Sequence, residues 1–182
     1  HMDKYKIIDN FLSISDYQLI WNTVKTAPFF AYEKYKDGTV EEASASSINR
    51  GAEQPVGMTS NLGTDLFPMK MYNAIQQRCY FNYYGPSEWA HFHTDDDDPE
   101  SLTLLYYPCP TYPIDEGGCT ELLIDDEIVG IRPLCNRALV FKANILHRAT
   151  PYKTKARYTV AVKYCTPERF VVVNRPTINY GN

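Results

Sequence analysis

The segment His91-Phe92-His93-Thr94-Asp95 concentrates side chains that can bind a metal ion. Its two imidazoles and its carboxylate occupy alternate positions, so in an extended strand all three point to one face. One further histidine, His147, lies in ALVFKANILHRATP, a β-type stretch that ends in a turn. Apart from His1, every histidine of the chain therefore lies in or next to these two segments. The joint pattern predicts a metal site formed by His93, Asp95 and His147, although a His-x-Asp pair alone is weak evidence.

Two imidazoles and one carboxylate leave three adjacent positions of an octahedron open, an arrangement associated with non-haem iron(II) and dioxygen. Zinc can use the same three ligands with a water molecule and catalyse hydrolysis. Arg157 follows His147 by ten residues, at the head of YTVAVKY. In most strands such an arginine lies at an edge with its charged group in water. These residues alone leave the choice of metal open.

The first half of the chain contains two segments with helical patterns. Ser15 and Gln18 match a capping box, and the apolar residues that follow predict a helix over 15–27. A second helix is predicted over 68–77 because proline suits a first turn. The intervening segment 37–64 has no sustained period, which indicates a long loop or a loose hairpin. It is expected to be either a binding loop or lid, or a disordered surface insertion.

From Arg78 onward the pattern changes to short β-type runs bounded by turn residues. These runs are RCYFNYY, SLTLLYY, TELLI, ALVF, YTVAVKY and FVVV. Helices first and strands afterward predict a mainly β protein with flanking α-helices, of the α+β class. So many short strands favour a double-stranded β-helix, the jelly-roll barrel shared with cupins. The expected organisation is one domain over 1–182, with helical support over about 1–77 and a jelly-roll core over about 78–182.

Composition narrows the classes of function. A net charge of -4 and a pI near 5.6 make nucleic acid an improbable partner. The five cysteines are odd in number and lack Cys-x-x-Cys spacing, which fits neither a disulfide framework nor a zinc ribbon. No segment approaches the ~20 apolar residues that span a bilayer. We therefore expect a soluble, cytoplasmic protein with no membrane partner.

The order of the candidate residues along the chain resembles the signature of the iron(II) and 2-oxoglutarate oxygenases. The signature is matched by His93-Thr94-Asp95, then His147, then Arg157 with Thr159 two residues later. The surrounding sequence resembles the prolyl 4-hydroxylase-like branch of that superfamily, including its bacterial and viral members. This resemblance covers roughly residues 78–164 and rests on three segments, RCYFNYYGPSEWAHFHTD, LTLLYY and EGGCTELLI.

The resemblance implies Fe(II) held by His93, Asp95 and His147, with 2-oxoglutarate as cosubstrate and dioxygen as oxidant. Arg157 is expected to bind the distal carboxylate of 2-oxoglutarate through its guanidinium fork. Three further residues are expected to support the cosubstrate, namely Tyr107, Tyr83 and Thr159. The implied reaction couples substrate hydroxylation to decarboxylation of 2-oxoglutarate to succinate and carbon dioxide, with ascorbate as a stimulant.

Two positions of this chain differ from those of particular family members, and these differences bear on the expected substrate. Collagen-modifying members carry lysine at the position of Arg157, and nucleic-acid demethylases carry a second arginine where this chain has Lys163. A prolyl residue in a peptide or protein is the expected substrate. The alternatives are a small-molecule or amino-acid hydroxylase of the same superfamily, or a metal-dependent hydrolase or isomerase on the same barrel. His91 is expected beside the site or on the surface, and 96–98 is expected to be a solvated turn.

Overall fold

The computed structural model of the chain describes residues 3–27, 29, 33–34, 40–41, 52–56 and 65–173. The strands in chain order are β1 Tyr5–Ile8, β2 Glu33–Lys34, β3 Val40–Glu41, β4 Ala52–Val56, β5 Lys70–Met71, β6 Ala74–Tyr84, β7 Leu102–Tyr107, β8 Thr120–Ile124, β9 Glu127–Ile131, β10 Arg137–Lys142, β11 His147–Ala149 and β12 Arg157–Cys165. The helices are α1 Ile14–Val24 and α2 Pro167–Val173, and Ile114–Glu116 forms a 3-10 turn.

Two antiparallel sheets form the architecture. The main sheet has seven strands in the order β1-β10-β7-β12-β6-β4, and β5 also pairs with β6. The minor sheet has the order β11-β8-β9, and a bridge between His93 and His147 extends it. The remaining pair is β2 with β3. The expected mainly β architecture with flanking helices is confirmed.

The main sheet is buried on both faces because its strands carry apolar residues at successive positions. The face covered by α1, which we call the outer core, includes Phe81, Leu104 and Val160. The opposite face, which we call the inner core, includes Leu105 and Ala161 and also receives Leu122 of the minor sheet. A side chain therefore reaches the space between the two sheets only if it lies on the inner-core face.

Helix α1 forms where the sequence predicted a helix, but with a different cap. Ser13 is the N-cap, and its hydroxyl accepts a 3.2 Å hydrogen bond from the amide of Asp16. Ser13 thus takes the position assigned to Ser15, and the helix ends at Val24 instead of residue 27. Ser13 and Asp16 have the same spacing as Ser15 and Gln18, so two overlapping patterns competed for this terminus.

The helix predicted over 68–77 is wrong, because β5 and the start of β6 form a hairpin there. Tyr72 and Asn73 have φ of 48° and 63°, the left-handed pair that a two-residue hairpin turn requires. The apolar positions at 71 and 75 fit one face of a helix, but they also fit a hairpin whose turn lies between them. This hairpin begins the longest strand of the main sheet.

The strand predicted for FVVV is also wrong, because Pro167–Val173 is helix α2. Thr166 accepts a 3.2 Å hydrogen bond from the amide of Arg169, and Pro167 occupies the first helical position. These N-terminal signals outweigh the low helix propensity of the valines. The other five predicted strands are present as β6, β7, β8, β10 and β12.

Parts of the predicted loop over 37–64 are strands, because β3 and β4 lie within it and β4 pairs with β6. The rest of that segment lies outside the described residues, so its role as a lid stays a prediction. All five cysteines are free thiols, as the sequence predicted. In the described part of the chain, no helix is long and apolar enough to cross a membrane. The single-domain organisation and the cytoplasmic location stay predictions.

Asn136 anchors the segment before α1 to the barrel. Its side-chain oxygen accepts hydrogen bonds from the amide of Leu12 at 3.0 Å and from the hydroxyl of Tyr106 at 2.6 Å. Its amide nitrogen donates to the carbonyl of Leu12 at 2.9 Å. Because Tyr106 is fully buried, no solvent can replace its partner.

We predict that Asn136→Ala lowers the free energy of unfolding by about 2 to 3 kcal/mol, because it leaves a buried hydroxyl and a backbone amide unpaired. In a Tyr106→Phe background the same change should cost about 1 kcal/mol less, because the orphaned hydroxyl is gone. Urea unfolding measures both values. Asn73→Ala, the same exchange at an exposed position that also has a left-handed φ, is the control. Equal costs in the two backgrounds would contradict the anchoring role.

Candidate active site

The three candidate metal ligands converge between the two sheets. The potential ligand atoms of His93, Asp95 and His147 all lie within 4.8 Å of one another. The Nε2 atom of His93 is 3.6 Å from one oxygen of Asp95, and that of His147 is 3.3 Å from the other. Neighbouring ligands of an ion held at about 2.1 Å are separated by about 3 to 3.5 Å. The cluster therefore fits a single metal ion.

Backbone carbonyl groups orient both imidazoles. The Nδ1 atom of His93 is 2.9 Å from the carbonyl oxygen of His91, and that of His147 is 2.8 Å from the carbonyl oxygen of Ile145. With the proton on Nδ1, each ring presents the lone pair of Nε2 toward Asp95. His91 contributes its carbonyl group to this arrangement, and its ring lies in an exposed position, as expected.

Backbone pairing carries the ligands into the space between the sheets. His93 and His147 exchange both amide-to-carbonyl hydrogen bonds, at 3.0 and 2.9 Å. The amide of Asp95 donates to the carbonyl of Ala143 at 2.9 Å. The segment that carries His93 and Asp95 thus runs beside β11 as an extra edge of the minor sheet.

The side chain of Arg148 packs against the segment that carries His93 and Asp95, on the outer face of the minor sheet. Its guanidinium lies 4.4 Å from the ring centre of Phe92 and 5.2 Å from that of Trp89. Its Nε donates to Glu121 at 2.7 Å. Phe92 and Arg148, which are adjacent in sequence to the candidate ligands His93 and His147, therefore contact each other on the outer face of the minor sheet.

Arg157 lies at the opposite end of the same cavity. Its side chain is 2% exposed, and its Nε and Nη2 donate to the Gly118 carbonyl at 3.1 Å and to the Thr120 hydroxyl at 2.9 Å. Within the described residues, Arg157 forms no salt bridge with a carboxylate. The cavity is lined by Tyr80, Asn82, Tyr84, His93, Asp95, Leu105, Thr120, His147, Ala149, Arg157, Thr159, Ala161 and Lys163. Thr159, singled out from the sequence, is part of this lining.

The structure places Tyr107 behind Thr120. The Tyr107 hydroxyl is 2.6 Å from the Thr120 hydroxyl, and the guanidinium of Arg157 is 5.9 Å from the centre of the Tyr107 ring. Burial raises the pKa of Tyr107, although the charge of Arg157 opposes this effect, so the phenol stays neutral. Thr120, which the sequence analysis did not single out, is the hydroxyl that lines the cavity beside Arg157.

The register between β6 and β12 places Tyr83 away from the cavity. Tyr83 pairs with Tyr158, and its ring packs against the rings of Tyr158 and Phe29 at centroid distances of 5.4 and 5.7 Å. Tyr84 pairs with Arg157 and lines the cavity instead. The sequence assignment of Tyr83 to the cosubstrate pocket therefore does not agree with the structure, because adjacent strand residues face opposite sides.

Two further residues contact the carboxylate of Asp95. The Thr103 hydroxyl donates to its Oδ2 atom at 2.6 Å, and the Lys163 ammonium forms an ion pair with the same oxygen. Burial by itself would raise the pKa of Asp95, but Lys163 and the two imidazoles hold it well below its usual range. Alternation along β12 from Arg157 could have indicated Lys163, since both lie on the inner-core face.

The acidic run after Asp95 divides into exposed and paired residues. Asp97 is almost fully exposed, as expected for a solvated turn. Asp96 departs from that expectation, because its carboxylate accepts a 3.0 Å hydrogen bond from Arg169 of α2. Helix α2 thus contacts the chain immediately after Asp95, a candidate metal ligand.

A turn at Gly117 and Gly118 positions the carbonyl group that binds Arg157. Both glycines have left-handed φ, of 74° and 82°. A Cβ on Gly118 would lie 2.4 Å from the ring of Tyr152, which is itself buried. Glycine at this position therefore allows both the backbone conformation and the close approach.

The fold matches solved structures of known proteins. A prolyl hydroxylase from Trichoplax adhaerens, solved with a hypoxia-inducible-factor peptide fragment, matches at a TM-score of 0.68 and 19% identity over 94% of this chain and 87% of that chain. A prolyl-4-hydroxylase from Pseudomonas putida matches at a TM-score of 0.64 and 15% identity, over 90% of this chain and 92% of that chain. HygX from Streptomyces hygroscopicus, with nickel and 2-oxoglutarate bound, matches at a TM-score of 0.66 and 8% identity, over 90% of this chain and 83% of that chain. HygX has also been solved with hygromycin B bound in addition.

No family model matches the sequence, and no curated protein does. The likeness to the solved structures shows the fold, a double-stranded β-helix. The fold predicted from the strand pattern and from the family resemblance is therefore confirmed.

We predict that Gly118→Ala lowers the free energy of unfolding by about 2 to 4 kcal/mol, because it combines a left-handed φ with a clash against Tyr152. Gly130→Ala is the matched control in the same sheet, since its new Cβ would be 3.8 Å from the nearest atom. That change should cost no more than about 0.5 kcal/mol. Chemical denaturation of both variants provides the comparison, and similar values would refute the packing role of Gly118.

Proposed function

We propose that the protein is an Fe(II)- and 2-oxoglutarate-dependent dioxygenase that hydroxylates its substrate. The observation that carries the proposal is one cavity with a candidate metal-ligand cluster at one end and, at the other, a buried arginine that has no acidic partner among the described residues. Burying a guanidinium is unfavourable unless an anion compensates for the lost hydration. A dicarboxylate bound in this cavity would supply that anion to Arg157 while its other end reaches the metal.

Each group has a distinct role in this proposal. His93, Asp95 and His147 would hold the metal ion, which would supply the activation of dioxygen for oxidation of the cosubstrate and the substrate. Arg157 binds the distal carboxylate through two N–H groups, and the Thr120 hydroxyl lies beside it. Tyr107 acts through Thr120, and Thr159 lines the same pocket. The nickel and 2-oxoglutarate bound to HygX, on a similar fold, support this assignment.

A metal-dependent hydrolase or isomerase on the same barrel is the competing class. Such an enzyme would use His93, Asp95 and His147 equally well, since zinc accepts the same ligands. Among the described residues it would leave the buried charge of Arg157 without an anionic partner, at a cost in stability. The arginine therefore favours the oxygenase.

The first test is spectroscopic and needs no substrate. The anaerobic protein with Fe(II) and 2-oxoglutarate should show a visible charge-transfer band, which Zn(II) cannot give. Asp95→Ala should abolish the band, because it removes one of the three ligands. A wild-type protein that binds iron but gives no band with 2-oxoglutarate would contradict the proposal.

Arg157→Ala should weaken the apparent affinity for 2-oxoglutarate by about 100-fold or more, since it removes one partner of a buried charge pair. Arg157→Lys keeps the charge but loses the fork, so its affinity should lie between those of the alanine variant and the wild type. Titration of the charge-transfer band measures all three proteins, and Fe(II) binding in the absence of cosubstrate is the control. An unchanged requirement for 2-oxoglutarate in Arg157→Ala would refute this role.

For the substrate, we propose a prolyl residue in a peptide or protein. The resemblance of the sequence to prolyl hydroxylases supports this choice, as does the peptide bound to the Trichoplax enzyme. A proline-containing peptide is already restricted in φ, so it loses less entropy on binding. A small-molecule hydroxylase is the alternative, because HygX with hygromycin B has a similar TM-score. Dioxygen is the oxidant in both cases, and ascorbate is proposed as a stimulant.

The substrate test compares proline peptides, the same peptides with alanine in place of proline, and free proline. Mass gain on the proline peptides, matched by succinate formation, is the expected outcome. Oxidation of free proline or of the alanine peptides, without oxidation of the proline peptides, would contradict the prolyl assignment. Succinate formation in any arm would still support the oxygenase class.

A further inference from the structure

The two oxygens of Asp95 have different surroundings. Oδ2 receives both the Thr103 hydroxyl at 2.6 Å and the Lys163 ammonium. Oδ2 also lies 3.3 Å from the Nε2 atom of His147, whereas Oδ1 faces the Nε2 atom of His93 at 3.6 Å, which is longer than a hydrogen bond. Two donors therefore occupy the lone pairs of one oxygen and leave those of the other available.

The contacts to Oδ2 come from two strands of the main sheet. Lys163 of β12 pairs with Thr103 of β7, so their side chains emerge together on the inner-core face. Their polar atoms are 3.4 Å apart. The Lys163 ammonium also lies 5.6 Å from the ring centre of Tyr80, and the guanidinium of Arg78 lies 4.3 Å from the same ring centre. The rigid sheet thus fixes the ammonium beside Asp95.

Burial makes this ion pair strong. The side chains of Lys163 and Asp95 are 15% and 11% exposed, so water and salt screen the pair only weakly. An exposed ion pair would not hold a carboxylate in one orientation, because its net stabilisation is small.

We propose that Lys163, together with Thr103, is a positioning residue that keeps Asp95 a ligand through Oδ1 alone. A carboxylate can bind a metal through one oxygen or through both. Binding through both would take a coordination position that 2-oxoglutarate needs. By occupying Oδ2, Lys163 preserves that position for the cosubstrate. This inference rests on the proposed function.

The ammonium also has an opposing effect on the metal. Its positive charge would lie close to a metal ion bound by Asp95 and would weaken the attraction between that ion and the site. Removing Lys163 loses the fixed orientation of Asp95 but also removes this repulsion. Metal affinity should therefore change little, whereas cosubstrate affinity should fall.

The experiment measures metal and cosubstrate binding separately, without turnover. Mn(II) affinity is read from the electron paramagnetic resonance signal of the free ion. The affinity of the Mn(II) protein for 2-oxoglutarate is read by calorimetry. In Lys163→Met, Mn(II) affinity should change by less than about threefold and 2-oxoglutarate affinity should fall by about tenfold or more. Lys163→Arg, which keeps the cation, should restore most of the loss.

Lys6→Met is the matched control, because it makes the same exchange at an exposed position of β1. It should change neither affinity. Equal losses of both affinities in Lys163→Met would indicate a general structural role and overturn the inference, as would an unchanged 2-oxoglutarate affinity. Failure of the wild-type protein to bind Mn(II) would instead contradict the proposed function itself, so the two failures are distinguishable.

Discussion

Burial of the Arg157 guanidinium is the constraint on which the account of this protein depends. A permanently charged group that is 2% exposed needs partners for its N–H groups and an anion for its charge. The protein supplies the partners through the Gly118 carbonyl and the Thr120 hydroxyl. Within the described residues it supplies no carboxylate. The charge is therefore directed at whatever occupies the cavity, and the nearby metal-ligand cluster limits what that occupant is.

The register of the main sheet keeps this arrangement in place. Along β12, alternate residues from Arg157 to Lys163 face the inner core, while the residues between them pack in the outer core beneath α1. A slip by one residue would place both cations in the outer core, where neither would reach its present partners. The same packing that stabilises the fold therefore fixes the distance between the arginine and the metal cluster.

The minor sheet contributes the rest of the site through its edges. The segment carrying His93 and Asp95 pairs with β11, and the turn at Gly118 leads directly into β8. Neither the paired edge segment nor the glycine turn requires a large hydrophobic core of its own. The minor sheet positions functional groups, and the main sheet supplies most of the buried apolar contacts.

The sequence predicted the parts of this site that depend on residue type and strict spacing. His93, Asp95, His147 and Arg157 could be found because few side chains bind metal or a carboxylate in these ways. Tyr83 and Tyr84 could not be distinguished, because both are tyrosines in one strand and only the register decides which faces the cavity. The sequence does not single out Thr120 or Thr103, and it indicates no contact between Lys163 and Asp95, because common residue types become informative only through three-dimensional contacts. The hairpin at residues 70–75 was mistaken for a helix because its apolar positions fit both structures.

Anomalous X-ray diffraction from crystals containing Mn(II) and 2-oxoglutarate tests the central claim most directly. We expect one anomalous peak within bonding distance of Nε2 of His93, Nε2 of His147 and one oxygen of Asp95. We also expect density for 2-oxoglutarate extending from that ion to a two-point contact between its distal carboxylate and Arg157. A metal at this site with the cosubstrate absent, or bound away from Arg157, would contradict the account.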